Sequence, residues 1–458
     1  MSTFDAGQGR QDGNAAGDAS DRACDPLTAV LDRNALLREN RCLACRVCCR
    51  FPFAGSPLAP FFSNAEISRA HAAGLAADAF PPARFGAGHS PFLVPEAEFH
   101  RCPAFRVTTN DCALYRLRPL DCRLYPLLLT YSSDGTQVLL GLDSYCPAVA
   151  ETSDTPAARR LLEEAAALLE GPLLPQVVES RGIVGAWKDH LLHTRPLPRL
   201  GRLLCRSDLG LARFTPTARA ALEPFFNAHR GELSYHAFAS VHAWSDFFDL
   251  RWKVCGDRLL LFAQGDGDAF LMTPPLGGGD PRPAAREALE LLRALDPATP
   301  SPRIQESDDA TVRSLMADGW RVRESAPEYL YDRAELAELR GNRFAGKRQP
   351  CNRFEREHDW RWRPLESEDL SAAVGLHRRW LERRLAAEPD EVFRAQAEAS
   401  LRAAWRSLRD ADATGLVARA LDADGRLAGF TAGCPLHDGR TFAILYEISD
   451  LDIPGAAQ

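Results

Sequence analysis

The sequence predicts an α+β protein, with a small cysteine-rich domain at the N-terminus followed by two units that each run from helices into antiparallel strands. Three observations carry this expectation. Eight cysteines fall between positions 42 and 146, four of them inside the run RCLACRVCCR at 41–50. Beyond about residue 200, helical periodicity and alternating strand patterns recur in the same order twice. At 458 residues the chain is also too long for one ordinary core.

Taken in order, residues 1–25 are rich in Gly, Ala, Asp, Ser and Gln and are expected to be a disordered tail. Asp25-Pro26 then opens a helical pattern, with Asp as N-cap and Pro at the first helical position. Ser63 and Glu66 form a capping-box signature for a helix reaching about residue 73. Residues 127–131 and 137–142 flank Asp134-Gly135 and read as a hairpin that returns Cys146 to the other cysteines. Helices are expected at 156–169 and 174–190, and a domain boundary at 195–202. The second unit has a helix ending near His229, a helix over 234–248, a strand meander at 250–254, 259–263 and 269–273, helices at 283–295 and 308–318, and a short strand at 320–324. The third opens at Glu328. It has helices at 333–339, 349–358, 367–387 and 391–408, a strand at 360–363, and a three-strand meander at 416–422, 427–434 and 441–449. The domains so expected are 26–198, 199–327 and 328–458.

Composition narrows the function. A net charge of −7 argues against a general nucleic-acid binder, although a local basic strip remains compatible with it. Lysine occurs only at 188, 253 and 347, so arginine carries nearly all the positive charge. No apolar run reaches the roughly 18 residues of a membrane helix. The N-terminus shows no apolar signal region either, and a soluble, cytoplasmic protein is expected.

If the first cysteine run is helical, Cys45, Cys48 and Cys49 share one face, with Cys42 one turn earlier. Cys102, Cys112, Cys122 and Cys146 complete eight thiols, enough for one or two thiolate sites holding zinc, iron or an iron–sulfur cluster. Disulfides and buried inert thiols are the competing explanations, and disulfides require an oxidising compartment. Cys24 belongs to the tail and is left outside the site.

The run CLACRVCC, then Cys102-Pro103, then DCALYRLRPLDCRLYP at 111–126 resembles the CxxCxxCC family of candidate zinc- or iron-chelating domains. A second resemblance covers about residues 214–458. Tyr329, Tyr331, Asp332, Leu336-Ala337, Leu339, Gly341, Phe344, Lys347-Arg348, Asn352 and Phe354 match the signature of the C-terminal domain of phosphatidylglycerol lysyltransferases and their soluble relatives. That resemblance implies tandem GNAT-like acyltransferase folds and transfer of an acyl or aminoacyl group from aminoacyl-tRNA or acyl-CoA. Two departures stand out. The family's Lys-Arg-Asn reads Lys347-Arg348-Gln349, followed by Pro350, which predicts a helix starting there. The chain also stops at Gln458, where the family continues, so the second GNAT-like domain is expected to be truncated. No acetyl-CoA loop of the Q/R-x-x-G-x-G/A type appears; residues 426–431 give R-x-x-G-x-T.

Residues 340–363 carry eight Lys/Arg against Glu355, Glu357 and Asp359. Lys347, Arg348, Asn352 and Arg353 are the candidate contacts to donor phosphates, of tRNA or of a smaller donor, and a solvated helix face is the plainer alternative. By analogy with GNAT folds, Glu447 and Asp450 at the end of the last strand are the candidate catalytic carboxylates, exposed strand-end acids being the plainer reading. The competing class is a non-enzymatic metal- or cluster-binding sensor whose GNAT-like fold binds a ligand or partner.

Overall fold

The computed structural model describes residues 26–27, 30, 47–53, 56, 58–80, 88–97, 99–229, 231–245, 247–265, 268–299, 301–387, 391–437 and 439–457. The expected tail at 1–25, together with Cys42 and Cys45, lies outside the described residues; Pro26, Leu27 and Val30 are helical, as the Asp25-Pro26 signal predicts.

The N-terminal region is built from very short pieces. The strand Phe99–Arg101 lies between Arg50–Phe51 and Val94–Glu96, Phe62–Ser63 pairs with Gly88–His89, and Phe105–Arg106 pairs with Asp111–Cys112. Pro and Gly interrupt every longer run here, so the packed apolar group is small: Phe51, Phe62, Ile67, Phe80, Leu93, Phe105 and Leu114 surround Cys102. The helix Asn64–Ala72 has its predicted capping box, Ser63 Oγ accepting from the Glu66 N–H and the Glu66 carboxylate accepting from the Ser63 N–H.

A more conventional core follows. Val138–Asp143 pairs with Leu127–Tyr131 on one side and Leu191–Pro196 on the other, and the helices Pro156–Leu169 and Pro198–Leu204 bury Leu161, Ala165, Leu200 and Leu204 with this sheet in one core. In the predicted turn, Gly135 has φ +71°, and its carbonyl accepts a 2.7 Å hydrogen bond from the Arg213 N–H. A Cβ there would stand 2.1 Å from the Arg213 carbonyl oxygen, so only glycine permits both the turn and the close approach.

Two α+β units complete the chain. In the first, the order Ala212–Arg213, Asp249–Cys255, Arg258–Gly265, Asp268–Leu271 forms an antiparallel sheet, with Leu276–Gly277 also paired to Arg258–Gly265. Helix Arg282–Leu295 packs Ala284, Ala288 and Leu292 on one face of this sheet, and helix Arg219–His229 packs Leu222 and Phe226 on the other. In the second, Trp360–Pro364, Val417–Ala423, Arg426–Pro435 and Phe442–Ser449 form a four-stranded antiparallel sheet in that order. Helix Leu370–Ala387 places Leu370, Ala373 and Leu376 on it.

Several expectations are corrected. The helix expected over 174–190 ends at Glu179, because Gly185 pairs with the strand Leu127–Tyr131 instead, its N–H donating to the Leu129 carbonyl at 2.9 Å. The helix expected over 234–248 is only Phe238–Ala243, since Ser234 is bound to the Glu328 carboxylate and Ala237 is extended. Residues 320–324 form no strand; no neighbour among the described residues offers them a ladder. Pro350 lies inside the helix Ala345–Glu357 rather than starting it, at the cost of the one hydrogen bond its absent N–H would have given. The prolines at 196 and 198 end a strand and begin a helix, so 195–202 is ordered secondary structure.

His377 lies in the third unit beside Trp380 and Phe430, 1% exposed, and burial alone pushes its pKa down to about 4. Between about pH 6.5 and 4 the unfolded chain binds a proton here that the folded chain does not, so this stability contribution is complete above pH 6.5 and falls as pH falls. Replacing His377 with Leu is expected to remove up to about 3 kcal/mol of acid sensitivity in that window. Urea unfolding at pH 7 and pH 4.5 measures it; an unchanged pH dependence in the variant rules the role out.

Candidate functional site

The short pairings of the N-terminal region bring the distant cysteines together. The Cys102 N–H donates to the Cys49 carbonyl at 3.0 Å, continuing the pairing of Arg50 with Arg101. Cys112 stands opposite Phe105, three residues beyond Cys102. Cys122 sits in the helix Leu120–Leu124, which is anchored from both sides: the Leu120 N–H donates to the buried Glu66 carboxylate at 2.8 Å, and Asp121 Oδ2 accepts from the Phe61 N–H at 2.7 Å. Cys146 occupies the N-cap position of the helix Pro147–Thr152, just after the hairpin. Cys48 and Cys49 lie in a turn before the strand Arg50–Phe51, so the helical geometry expected for the run does not extend to them.

Cys48, Cys49, Cys102, Cys112 and Cys122 are free thiols. A hydrogen bond with Cys49, together with burial, raises the Cys48 pKa. Burial pushes Cys102 up to about 12, raises Cys112, and with Asp121 beside it holds Cys122 far above the thiol range. Cys48, Cys102 and Cys112 each add to the cost of ionising Cys122. Mutually repelling thiolates need a cation among them, so this donor set fits a soft metal ion or an iron–sulfur cluster. Among the described residues no three of these sulfurs lie within 4.8 Å of one another.

All six described cysteines of the predicted set line a cavity of about 1290 Å³. The helix Glu391–Arg409 contributes Arg402, Trp405, Arg406 and Arg409 to the lining, and Phe92 packs edge-on to Trp405 at 6.0 Å where the two regions meet. Nine Lys and Arg side chains line the cavity against five Asp and no Glu, so its interior is basic. Burial lowers the pKa of Lys188, against the pull of Asp121 and Asp143. His242 also lines the cavity, with Nε2 2.8 Å from Asp410 Oδ2 and Nδ1 without a hydrogen bond. Burial lowers the His242 pKa; Asp410 is held ionised, against its burial, by Arg409 and by His242.

The other predicted residues lie elsewhere. Lys347, Asn352 and Arg353 are exposed on the helix Ala345–Glu357, and Arg353 pairs with Glu357 at 2.8 Å. Arg348 is turned back onto the carbonyls of Leu339 and Gly341. Glu447 is exposed on the last strand, and neither it nor the 347–353 group lines the large cavity. Asp450 borders a separate cavity of about 360 Å³; it ion-pairs with Arg426 at 3.1 Å and accepts the Asp452 N–H at 2.9 Å. The basic cavity wall went unnoticed in the sequence, although Arg402, Arg406 and Arg409 recur at helical spacing and Lys188 is one of only three lysines.

Fold and site together define an α+β protein in which a cysteine-rich, metal-fitting domain shares a basic cavity with an α+β region. Residues 229–457, half of the chain, match the family described as phosphatidylglycerol lysyltransferase, C-terminal, and the chain belongs to that family. Residues 41–147 match the CxxCxxCC domain, described as a candidate zinc- or iron-chelating domain. Among solved structures, a conserved protein of unknown function from Bacteroides thetaiotaomicron is similar at 21% identity and TM-score 0.44, over 54% of this chain and 82% of that one. The C-terminal domain of a candidate lysylphosphatidylglycerol synthetase from Agrobacterium fabrum is similar at 12% identity and TM-score 0.35, over 52% and 70% of the two chains. L-PGS from Bacillus licheniformis is similar at 18% identity and TM-score 0.35, over 51% and 67%. No curated protein matches. No helix among the described residues is long and apolar enough to cross a membrane.

Proposed function

We propose that the chain is a GNAT-type acyl or aminoacyl transferase that holds the phosphates of its donor, an aminoacyl-tRNA or an acyl-CoA, in the basic cavity. The two α+β units are, in this reading, the tandem GNAT-like domains, and the cysteine domain holds zinc, iron or an iron–sulfur cluster in a structural or redox-sensing role. The supporting observation is the cavity itself, whose cationic walls come jointly from the cysteine domain and from the family's domain. Phosphate groups are what such a surface recognises.

Within the cavity, Asp410 accepts the Nε2–H of His242 and leaves the Nδ1 lone pair to take a proton from an attacking amine. The residues that would hold a metal are Cys42, Cys45, Cys48, Cys49, Cys102, Cys112, Cys122 and Cys146, and a bound ion would supply charge compensation to their thiolates. Glu447 and Asp450 are the alternative acids for proton transfer, and Lys347, Arg348, Asn352 and Arg353 the alternative phosphate contacts. A non-enzymatic sensor is the second reading. It is favoured by the position of Glu447 and Lys347, which lie outside the large cavity that the thiols line.

The test is donor consumption by anaerobically purified chain, followed by mass spectrometry with charged tRNA, acyl-CoA and a panel of amine acceptors. Donor loss with the wild-type chain, reduced at least about 100-fold in His242→Gln, matches the scale of general-base catalysis and supports the transferase. Intact donors of both kinds after incubation with metal-loaded wild type leave the sensor reading in its place.

A further inference from the structure

A second charged group lines the same cavity and comes from neither the helix Glu391–Arg409 nor the cysteine segments. Arg213 ends the two-residue strand Ala212–Arg213, and Asp249 begins the strand Asp249–Cys255 that pairs with it. Arg181 lies in the helical turn Arg181–Ile183, which follows the helix Leu174–Glu179. All three side chains are in the cavity lining.

The charges in this group do not balance. Strand register sets Arg213 directly opposite Arg251, and like charges in that position repel. One carboxylate serves three guanidinium groups: Asp249 lies 2.9 Å from Arg181 Nε, 3.1 Å from Arg213 Nη1 and 4.0 Å from Arg251 Nη2. Among the described residues no other carboxylate pairs with these three arginines. The Arg213 side chain is only 13% exposed and that of Arg251 only 4%, and charge left uncompensated at such depth is costly. Burial lowers the Arg251 pKa to about 10, and Arg213 repels it further. Arg251 donates to neutral acceptors, the Leu204 carbonyl at 3.1 Å and Gln264 Oε1 at 3.0 Å, which satisfy its hydrogen bonds without cancelling its charge.

Donors also remain. Arg181 meets Asp249 through Nε and Arg213 meets it through Nη1. Arg181 Nη1 and Nη2, and Arg213 Nε and Nη2, therefore have no protein acceptor among the described residues, and none of them is sealed from solvent. The guanidinium edge is the group that matches the paired oxygens of a phosphate or a carboxylate.

We propose that Arg181 and Arg213 form an oxyanion subsite in the cavity, with Asp249 holding the two guanidinium groups in place. A bound phosphate or carboxylate oxyanion brings the charge balance that Asp249 alone does not give to Arg181, Arg213 and Arg251. The subsite itself does not rest on the transferase reading; the source of its anion does, being a phosphate of the donor in one case and the carboxylate of an amino-acid-type acceptor amine in the other.

The experiment titrates inorganic phosphate and acetate into the full chain by calorimetry and follows Tm in each anion, with chloride at equal ionic strength as the control. Wild type is expected to gain Tm beyond the chloride control, because a ligand bound only by the folded state stabilises it. Arg181→Gln should weaken anion binding by about 10- to 150-fold, the scale of a hydrogen bond between charged groups. Arg213→Lys keeps the charge, loses the fork and should weaken binding in the same direction. A loss for either anion supports the subsite: one seen with phosphate assigns it to the donor, one confined to acetate assigns it to the acceptor. No stabilisation of wild type beyond chloride, or unchanged affinity for both anions in the two folded variants, overturns the proposal. A fall in Tm of Arg181→Gln with unchanged anion affinity marks a purely structural ion pair and overturns it equally. Donor consumption is read separately, so the transferase reading stands if the subsite alone fails.

Discussion

Changing Cys102 or Cys122 to serine is expected to abolish metal retention and lower the stability of the N-terminal domain by about 3 kcal/mol or more, because structural metal sites supply folding free energy directly. For a region of this size a 3 kcal/mol loss lowers Tm by roughly 6–12 °C. The apolar group around Cys102 is small and its strands are two or three residues long, so little else holds them in register. Serine nearly preserves the shape of the side chain but cannot give a thiolate, which separates ligation from packing. Cys205→Ser is the matched control. That thiol is fully buried in the neighbouring core, and burial raises its pKa to about 11, but it does not line the cavity. Metal analysis and thermal unfolding of the three variants decide the matter. Full metal content in both Cys102→Ser and Cys122→Ser means that the thiols only fill space. Chelator treatment of wild type should reproduce the loss of stability without any mutation.

Reversing charge in the cavity wall is expected to have the second largest effect. Arg406→Glu should weaken binding of a phosphate-bearing donor by about 10- to 150-fold, the range that loss of a charge-assisted hydrogen bond implies. Lys188→Glu, in the same cavity lining, should act in the same direction. Both effects should shrink at higher salt, since screening removes the same electrostatic contribution in wild type. Lys347→Ala tests the surface strip separately, because Lys347 is exposed whereas Arg348 also braces the turn at Leu339 and Gly341. Titration of charged tRNA and of a CoA ester at two salt concentrations gives the comparison. Unchanged affinity in both cavity variants, with folding intact, removes the cavity as the donor site; a loss confined to Lys347→Ala places the donor on the exposed helix instead.

The sequence by itself determined the parts of this protein whose physics is local. The Ser63–Glu66 capping box, the Asp134-Gly135 turn and the strand meanders of both α+β units appear where periodicity and turn chemistry put them. Cysteine spacing singled out the thiols because eight such side chains in one short region exceed what packing requires. Expectations failed where distant groups overrode local preference. Residues 184–190 are not helical because Gly185 bridges to the strand Leu127–Tyr131, and 234–248 is mostly not helical because Glu328 holds Ser234. Only the tertiary structure could bring the thiols and Arg402, Arg406 and Arg409 to one cavity, or join His242 to Asp410 across 168 positions. The physical reason is that helix and turn signals depend on neighbours three or four residues away, whereas a cavity or a ligand set depends on which surfaces the packed cores bring face to face.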